Sequence, residues 1–142
     1  IFYAWAGVKT ELEGLETDYF AFADLDPVFD FYTPVIIANN TFLAEEPETA
    51  RAFLDAVSRG YEFAIEHPRE AGEILCKAAP ELDPDLVKAS QEYLADKYQA
   101  DAPQWGYIDQ ERWDAYYAWL NEKGLTETPI EAGTGCSNEY LP

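Results

Sequence analysis

Three aromatic residues lie within the first five positions, where their rings could contact a flat ligand: Phe2, Tyr3 and Trp5. We predict that they end a short strand just before a helix, and rings at such strand ends often line a ligand crevice in α/β folds. They could stack on a flat heterocycle, and Trp5 can also donate a hydrogen bond through its ring N–H. Strand alternation would place Tyr3 and Trp5 on one face and Phe2 on the other. Packing in a core explains any one of these rings equally well.

No set of residues typical of a catalytic centre is visible. His67 is the single histidine, so a histidine-based metal cluster or a nucleophile–base pair has one candidate. It precedes Pro68 at the predicted junction of two helices, which favours a surface position. The chain has neither a P-loop nor a glycine-rich dinucleotide fingerprint, since Gly133-Thr-Gly135 is too short a signal. We therefore expect a protein that is not an enzyme and has no catalytic residue and no cofactor.

The acidic residues are numerous but scattered along the chain. Three glutamates in residues 45–48 lie where a long helix is predicted to begin, and the helix dipole favours negative charge there. Asp24, Asp26 and Asp30 have the alternate spacing of calcium ligands, yet their loop lacks the central glycine and closing glutamate of an EF-hand. We therefore expect helix capping at the glutamates and no metal site.

Two cysteines lie 60 positions apart, Cys76 in a predicted helix and Cys136 in the C-terminal tail. Such a pair in a small exported chain could form a disulfide. Two separate buried thiols are the alternative, because free cysteine packs as a small apolar side chain. The spacing matches neither a CxxC redox motif nor a zinc knuckle.

The composition narrows the range of partners. The 142 residues include 28 Asp and Glu against 9 Lys and Arg, which gives a formal net charge of −19. This charge repels nucleic-acid phosphates and anionic lipids, so we expect no nucleic-acid partner. A hydrophobic fraction of 48% with 15% aromatic residues is enough for a core and too high for a disordered acidic tail. No apolar run approaches the roughly 20 residues of a membrane span.

The elements that would position these residues divide into a strand-rich start and a helix-rich remainder. Apolar runs predict strands over residues 1–5, 17–23 and 31–38, with a short helix over residues 6–13 that Gly14 ends. From Thr41, which could cap a short turn, the periodicity becomes helical. Four longer helices are predicted, over residues 47–66, 68–79, 84–98 and 110–123.

Two of these helices have an apolar face that we expect to point inward, marked by Ile74 and Leu75 in one and by Leu86 and Val87 in the next. The last helix is rich in aromatic residues, which we interpret as packing between helices and not as a binding site: Trp113, Tyr116, Tyr117 and Trp119.

The chain begins with Ile1 and contains no methionine, so we expect a processed chain or a fragment. Three strands alone make a poor sheet, and a parallel sheet needs helices on both faces. We expect the missing partner strands to lie in a preceding segment, which would also carry any signal peptide.

An ordered series of segments resembles the extracytoplasmic substrate-binding proteins of ABC importers. It runs from Tyr32-Thr-Pro-Val-Ile-Ile-Ala-Asn39 into Phe42-Leu-Ala-Glu-Glu-Pro47, as a returning strand, a turn with phenylalanine and an acidic-proline helix start. The sequences at residues 61–68 and 79–82 are similar to the next segments of that pattern. Within this superfamily the chain looks most like the group related to binding and biosynthesis of the thiamine pyrimidine precursor. Its C-terminal pattern is matched by Trp105-Gly106, Asp109, Arg112-Trp113 and residues 133–142.

The resemblance covers nearly all of the chain and implies an α/β fold, the C-terminal part of a two-lobed periplasmic-binding-protein fold of type II. Residues 1–30 would end the second lobe, and residues 31–40 would form the crossing strand or hinge. Residues 41–142 would return to the first lobe as helices and a C-terminal tail.

The implied function is that of a substrate-binding component, which captures a small heteroaromatic nutrient similar to a thiamine precursor by hinge closure. The implied partners are this small molecule and ABC permease subunits. The implied location is extracytoplasmic, in the periplasm or lipid-anchored at the outer face of the cytoplasmic membrane. Exposed strand edges would also allow two copies to associate.

Residue by residue, the resemblance assigns Tyr3, Trp5 and Tyr32 to the ligand cleft. Residues 3–7 match a strand-to-helix motif that contributes aromatic rings, and members that bind a pyrimidine precursor often carry an acidic residue where this chain has Ala6. A carboxylate there could pair with an aminopyrimidine edge. Because Ala6 cannot make this pair, the difference counts against a simple aminopyrimidine, and a flavin or an intact thiamine-like compound stays open as the ligand. Two alternatives also stay open: a pyrimidine-precursor synthase of the same fold, and a helical interaction domain without a small ligand.

Overall fold

The computed structural model describes all residues from 1 to 142 and contains helices but no β-strands. Its seven α-helices are α1 Val8–Leu12, α2 Phe22–Leu25, α3 Asn40–Glu45, α4 Pro47–Glu66, α5 Pro68–Ala78, α6 Pro84–Ala95 and α7 Gln110–Glu122. A π-helical turn, Tyr3–Gly7, leads into α1, and a 3-10 turn, Pro27–Phe29, follows α2. None of the helices combines the length and the apolar character that crossing a membrane requires.

The chain divides into two compact units. The first unit comprises residues 1–18, residues 53–105 and residue 142, and the second unit comprises residues 19–52 and 106–141. Helix α4 therefore begins in the second unit and continues in the first.

The strands predicted over residues 1–5, 17–23 and 31–38 are wrong. The first region forms the π-helical turn, the second leads into the short helix α2, and the third has no regular structure. A strand needs a neighbour that pairs with its backbone N–H and C=O groups, and no segment of this chain provides one. The strand-rich start is therefore absent, and the strand edges predicted to pair two copies are absent as well. Self-association itself stays a prediction. The helix-rich remainder is confirmed.

The long helices begin where their local start signals predict. Pro68 and Pro84 occupy the first turns of α5 and α6, where the missing N–H of proline costs no hydrogen bond. Asp83 caps α6, since its Oδ1 accepts hydrogen bonds from the backbone N–H of Asp85 at 2.9 Å and of Leu86 at 3.4 Å. These signals act within one helical turn, so they operate whatever the rest of the chain does.

Helices α3 and α7 show the same local control of their ends. Asp109 caps α7, and its Oδ1 accepts a hydrogen bond from the Arg112 N–H at 2.8 Å. Gly124 follows α7 with a φ of +65°, a conformation that glycine adopts without strain. The cap of α3 lies two residues before the predicted one, because Asn39 and not Thr41 supplies the capping oxygen, at 2.8 Å from the Thr41 backbone N.

The core of the first unit lies where α5 packs along α6. Leu86 and Val87 are buried, as predicted, with Val87 completely inaccessible to solvent. Gly72 is the buried residue of α5, and a Cβ built on it would lie 3.5 Å from Val87 Cγ1. The inward positions predicted for Ile74 and Leu75 are wrong, since these side chains are 53% and 39% exposed. Helix α5 instead turns its small residue towards α6.

Aromatic contacts complete the first unit. The π-helical turn and α1 pack on α6, with the Tyr3 ring centroid 5.2 Å from that of Tyr93. Tyr61 of α4 stacks on the buried Trp105 with centroids 4.3 Å apart and contacts the Tyr98 ring edge-on at 5.0 Å. These ring contacts join the π-helical turn to α6, and α4 to Trp105 and Tyr98, within the first unit.

In the second unit, two asparagines of α7 and the tail fix the C-terminal segment. Asn121 accepts a hydrogen bond from the Ile130 N–H at 3.0 Å and donates one to the Ile130 carbonyl at 2.8 Å. Asn138 makes the equivalent pair with Ile108, at 2.9 and 2.8 Å. Several large apolar side chains of residues 19–37 are exposed: Tyr19, Phe20, Phe22, Leu25, Ile36 and Ile37.

Candidate functional site

The candidate site is a cleft of about 200 Å³ within the second unit. Two segments line it, the loop that follows the 3-10 turn and one face of α7: Phe31, Tyr32, Thr33, Val35, Trp113, Tyr116 and Tyr117. None of these side chains is an acid or a base of the Asp, Glu, Lys, Arg or His type. Aromatic walls with a few hydroxyl groups suit a flat ring that is held by stacking.

Helix α7 positions its rings by simple periodicity. Trp113, Tyr116 and Tyr117 are spaced three and four residues apart, so they project from one face of the helix. Phe31 stacks on Tyr116 with centroids 4.3 Å apart and an interplanar angle of 21°. Phe29 extends this packing with its edge towards Trp119, at 5.1 Å. Contacts between rings therefore attach the loop to the helix.

Tyr32 is held in the cleft wall by contacts to its hydroxyl group and to the face of its ring. Its hydroxyl oxygen accepts a hydrogen bond from the Asp109 N–H at 2.9 Å. The Arg112 guanidinium lies over the ring, with Cζ 4.4 Å from the ring centroid. Arg112 Nη2 is in turn 2.6 Å from Asp30 Oδ1, and its Nε donates to the Asp30 carbonyl oxygen. Tyr32 is therefore a fixed part of the wall.

Trp113 is oriented by the C-terminal tail. Its indole N–H donates to the Thr134 carbonyl at 3.0 Å, so the ring offers the cleft its apolar surface. Gly135 passes close to this ring with a φ of +83°, and a Cβ on it would lie 3.4 Å from Trp113 Nε1. Both oxygens of the neighbouring Asp114 carboxylate lie 3.0 Å from the Gly133 N–H, which fixes the approach of the tail.

The two cysteines are both free thiols. Cys76 lies in α5 of the first unit, whereas Cys136 lies in the tail of the second unit, with its Sγ 3.4 Å from Gln110 Oε1. Partial burial raises the pKa of the Cys136 thiol, although the hydrogen bond to Gln110 lowers it, and the Asp114 carboxylate raises it further. The disulfide considered from the sequence is not formed in this structure and stays a prediction.

The structure places the three predicted ligand residues in different units. Tyr32 lies in the cleft of the second unit. Tyr3 belongs to the first unit, where its ring packs on Tyr93 and its hydroxyl donates to Glu11. Trp5, two residues on, is 41% exposed. The π-helical turn also removes the strand alternation from which a shared face for Tyr3 and Trp5 was inferred.

Sequence reasoning missed the contribution of α7 to the cleft. The sequence favours helix packing for Trp113, Tyr116 and Tyr117, but Tyr116 stacks on the loop residue Phe31 and not on another helix. All three rings line the cleft, and the ring centroids of Trp113 and Tyr117 lie 5.2 Å apart. The signal available in the sequence was the aromatic face of α7, whereas nothing in the sequence pairs it with Phe31-Tyr32, which lies about 80 positions earlier.

A second concavity, of about 370 Å³, lies on the first unit. Gly60 and Ala64 of α4 create it, because their small side chains leave space beside Tyr61 and Tyr98. Burial raises the pKa of the Tyr98 hydroxyl, the hydrogen bond to Gln91 lowers it, and Tyr61 raises it. His67, at the junction of α4 and α5, has a half-exposed side chain as the sequence indicates.

Comparison with known proteins identifies the family. Residues 1–71 match the model of the family described as NMT1/THI5 like, which is half of the 142 residues. The chain belongs to this family. The match includes Tyr3, Trp5 and Tyr32, whereas α7 lies outside the matched residues.

Three relatives extend the comparison. The chain is 29% identical over 124 residues to a formylaminopyrimidine-binding protein of Halalkalibacterium halodurans, which covers 84% of this chain and 37% of the relative. It is 24% identical over 145 residues to the riboflavin-binding protein RibY of Chloroflexus aurantiacus, covering 95% of this chain and 39% of the relative.

The third relative is an enzyme by name. The chain is 38% identical over 116 residues to a 4-amino-5-hydroxymethyl-2-methylpyrimidine phosphate synthase of Candida albicans, covering 78% of this chain and 31% of the relative. The matches therefore span less than two fifths of the length of each of these relatives.

Proposed function

We propose that this chain is part of the substrate-binding component of an ABC importer that captures a flat heteroaromatic nutrient. The observation that carries the proposal is the cleft lined by Tyr32, Trp113 and Tyr117, whose walls are aromatic and uncharged. Family membership supports it, because two of the relatives are named for binding a formylaminopyrimidine and riboflavin. Both names describe flat heterocyclic ligands, which such walls suit.

The size of the cleft favours a small ring system. Its volume of about 200 Å³ is below the roughly 300–1,000 Å³ of ordinary ligand pockets. A single substituted pyrimidine, as in a thiamine precursor, matches this space better than the three fused rings of a flavin. Thr33 and the tyrosine hydroxyls supply the few hydrogen-bonding groups that fix the orientation of such a ring.

The proposed mechanism is capture by stacking, followed by hinge closure and docking on permease subunits outside the cytoplasm. Residues 1–30 would end the second lobe, residues 31–40 would form the hinge, and residues 41–142 would return to the first lobe. Tyr32 lies in that hinge segment, so a ligand stacked on it would favour one arrangement of the hinge. Tyr3 and Trp5, which the resemblance also assigns to the ligand, lie in the first unit and are not part of this cleft, so their role in binding stays a prediction.

The test is thermal unfolding of the full-length, ligand-free protein with four compounds: a formylaminopyrimidine, a hydroxymethylpyrimidine, thiamine and riboflavin. A compound present at about 100 times its Kd should stabilise the protein by roughly 2.7 kcal/mol. We expect the largest shift with one of the two pyrimidines. If none of the four compounds changes the unfolding temperature, the proposed ligand class is wrong.

A pair of variants assigns the binding to the cleft. Tyr117→Leu removes one stacking wall and should weaken binding by about tenfold, which is about 1.4 kcal/mol. Tyr19→Leu makes the same change at an exposed tyrosine of the second unit outside the cleft, and it should leave the affinity unchanged. Equal losses in both variants would place the ligand elsewhere.

The identity of 38% with the synthase favours one alternative, an enzyme of the same family. Mass spectrometry of the compound recovered from the protein separates the two functions. A binding protein returns the compound with its mass unchanged, whereas conversion into a new product during incubation would support the enzyme.

A further inference from the structure

We infer that the aromatic cleft selects uncharged heterocycles and rejects their phosphate esters, because the cation beside the cleft is already paired with Asp30. The inference rests on the proposed function and specifies its substrate class. The observation behind it is that Arg112, which contacts the cleft residue Tyr32, directs its guanidinium towards an acidic residue of the chain itself.

The ion pair with Asp30 uses the Nε–Nη2 edge of the Arg112 guanidinium, which is one of the two donor edges through which arginine binds a phosphate. Its Nη2 lies 2.6 Å from Asp30 Oδ1, and its Nε donates to the backbone carbonyl of the same residue. One face of the guanidinium lies on the Tyr32 ring, with Cζ 4.4 Å from the centroid. Arginine recognises phosphate through paired N–H donors, and here Asp30 accepts from both donors of the Nε–Nη2 pair, while its carboxylate offsets the charge of the guanidinium.

The helix N-terminus next to the cleft is also filled. The first turn of α7 would otherwise offer free N–H groups to an anion. Asp109 caps this turn, with its Oδ1 2.8 Å from the Arg112 N–H, so a carboxylate already lies where a phosphate would bind. The Asp109 N–H is not free either, since it donates to the Tyr32 hydroxyl at 2.9 Å.

The charge of the surroundings acts in the same direction. The cleft lining contains no lysine, arginine or histidine, and the whole chain has a formal net charge of −19. A phosphate ester brings up to two negative charges, and the carboxylates of Asp30 and Asp109 flank the side of the cleft where Tyr32 lies. These carboxylates repel the negative charge of the phosphate but exert no such repulsion on the uncharged ring.

The experiment compares each ring compound with its own phosphate ester by calorimetric titration of the full-length protein at low salt. The pairs are hydroxymethylpyrimidine with its phosphate, and riboflavin with riboflavin 5′-phosphate. We expect the uncharged member of the pair that binds to be at least tenfold tighter. Equal or tighter binding of the ester would overturn the inference while leaving the proposed function intact, whereas no binding of any compound counts against the proposed function itself.

The variant Asp30→Asn tests the role assigned to Arg112. Removing the carboxylate leaves the guanidinium beside Tyr32 without its charge partner, so the preference for the uncharged member should fall several-fold through tighter binding of the ester. Asp24→Asn makes the same change in net charge at another exposed position of the second unit and should leave the preference unchanged. A similar fall in both variants would refute the assignment to Arg112.

A second substitution covers the case in which Asp30→Asn fails to fold. Arg112→Gln removes the cation, and because that cation does not serve the ester, the rejection of the ester should persist. If Arg112→Gln weakens binding of the ester but not of the uncharged ring, Arg112 is a phosphate-binding residue and the inference is wrong. The double variant Asp30→Asn with Arg112→Gln should reject the ester as the natural protein does.

Discussion

Gly7 allows the Tyr3 ring to pack against the π-helical turn, and its replacement by alanine tests whether Tyr3 is a packing residue. A Cβ built on Gly7 would lie 2.4 Å from Tyr3 Cδ2 and 2.7 Å from both Cγ and Cε2. Carbon atoms in good contact are about 3.5–4.0 Å apart, so the ring would have to move by about 1 Å. The ring cannot move freely, because it packs on Tyr93 and its hydroxyl donates to Glu11.

The magnitude follows from two opposing effects. Overpacking of this kind costs about 1–3 kcal/mol. Alanine in place of glycine in a helix increases the stability of the fold by about 0.5–1 kcal/mol, which offsets part of this cost. We therefore expect Gly7→Ala to lose about 1 kcal/mol of stability, which lowers the unfolding temperature of the full-length protein by about 2 °C.

The assay is thermal unfolding of the full-length protein, with Gly60→Ala as the matched control. Gly60 lies inside α4, and a Cβ built on it meets nothing within 4 Å, so this variant should gain stability. The two glycine-to-alanine changes should thus differ in sign. In a Tyr3→Ala background the cost of Gly7→Ala should vanish. If Gly7→Ala is as stable as Gly60→Ala, the packing assigned to Tyr3 is wrong.

Three further outcomes are expected. Gly72→Ala should stabilise the protein by about 0.5–1 kcal/mol in chemical denaturation, because the new Cβ meets Val87 Cγ1 at an ordinary 3.5 Å; a loss of stability would show that α5 and α6 pack more closely. Asp83→Ala should destabilise the protein by about 1 kcal/mol through loss of the α6 cap, whereas Asp83→Asn should keep most of the stability because asparagine also caps helices. In a Cys76→Ser variant, Cys136 should react with iodoacetamide more slowly in the folded than in the denatured protein at pH 8, since its raised pKa leaves less thiolate; equal rates would contradict this.

The sequence predicts the long helices well because their signals are local. The proline starts of α5 and α6, the Asp83 and Asp109 caps and the terminating Gly124 each act within one turn. The buried positions of Leu86 and Val87 follow from the same periodicity. Periodicity alone failed in α5, where Gly72 and not Ile74 faces α6, because a glycine gives no apolar signal although it permits close packing.

The strand predictions failed for a different physical reason. An apolar run such as residues 31–38 shows that the side chains avoid water, but pairing in a sheet depends on a second segment that the run itself does not identify. In the structure this segment remains without regular form, and Ile37 is 87% exposed. The cleft was only half predictable for the same reason, because Tyr32 and α7 meet through contacts between residues about 80 positions apart.

The aromatic face of α7 links the fold of the second unit to its proposed function. Tyr116 and Trp119 face Phe31 and Phe29 and so attach the loop to the helix, while Trp113 and Tyr117 remain available at the cleft. A ligand that stacks between Tyr32 and these two rings would add contacts to the same pair of segments. Such binding would strengthen the attachment of the loop to α7, because a ligand stabilises the arrangement that it binds best. On this basis, amide hydrogens of residues 31–35 should exchange more slowly when the ligand is present.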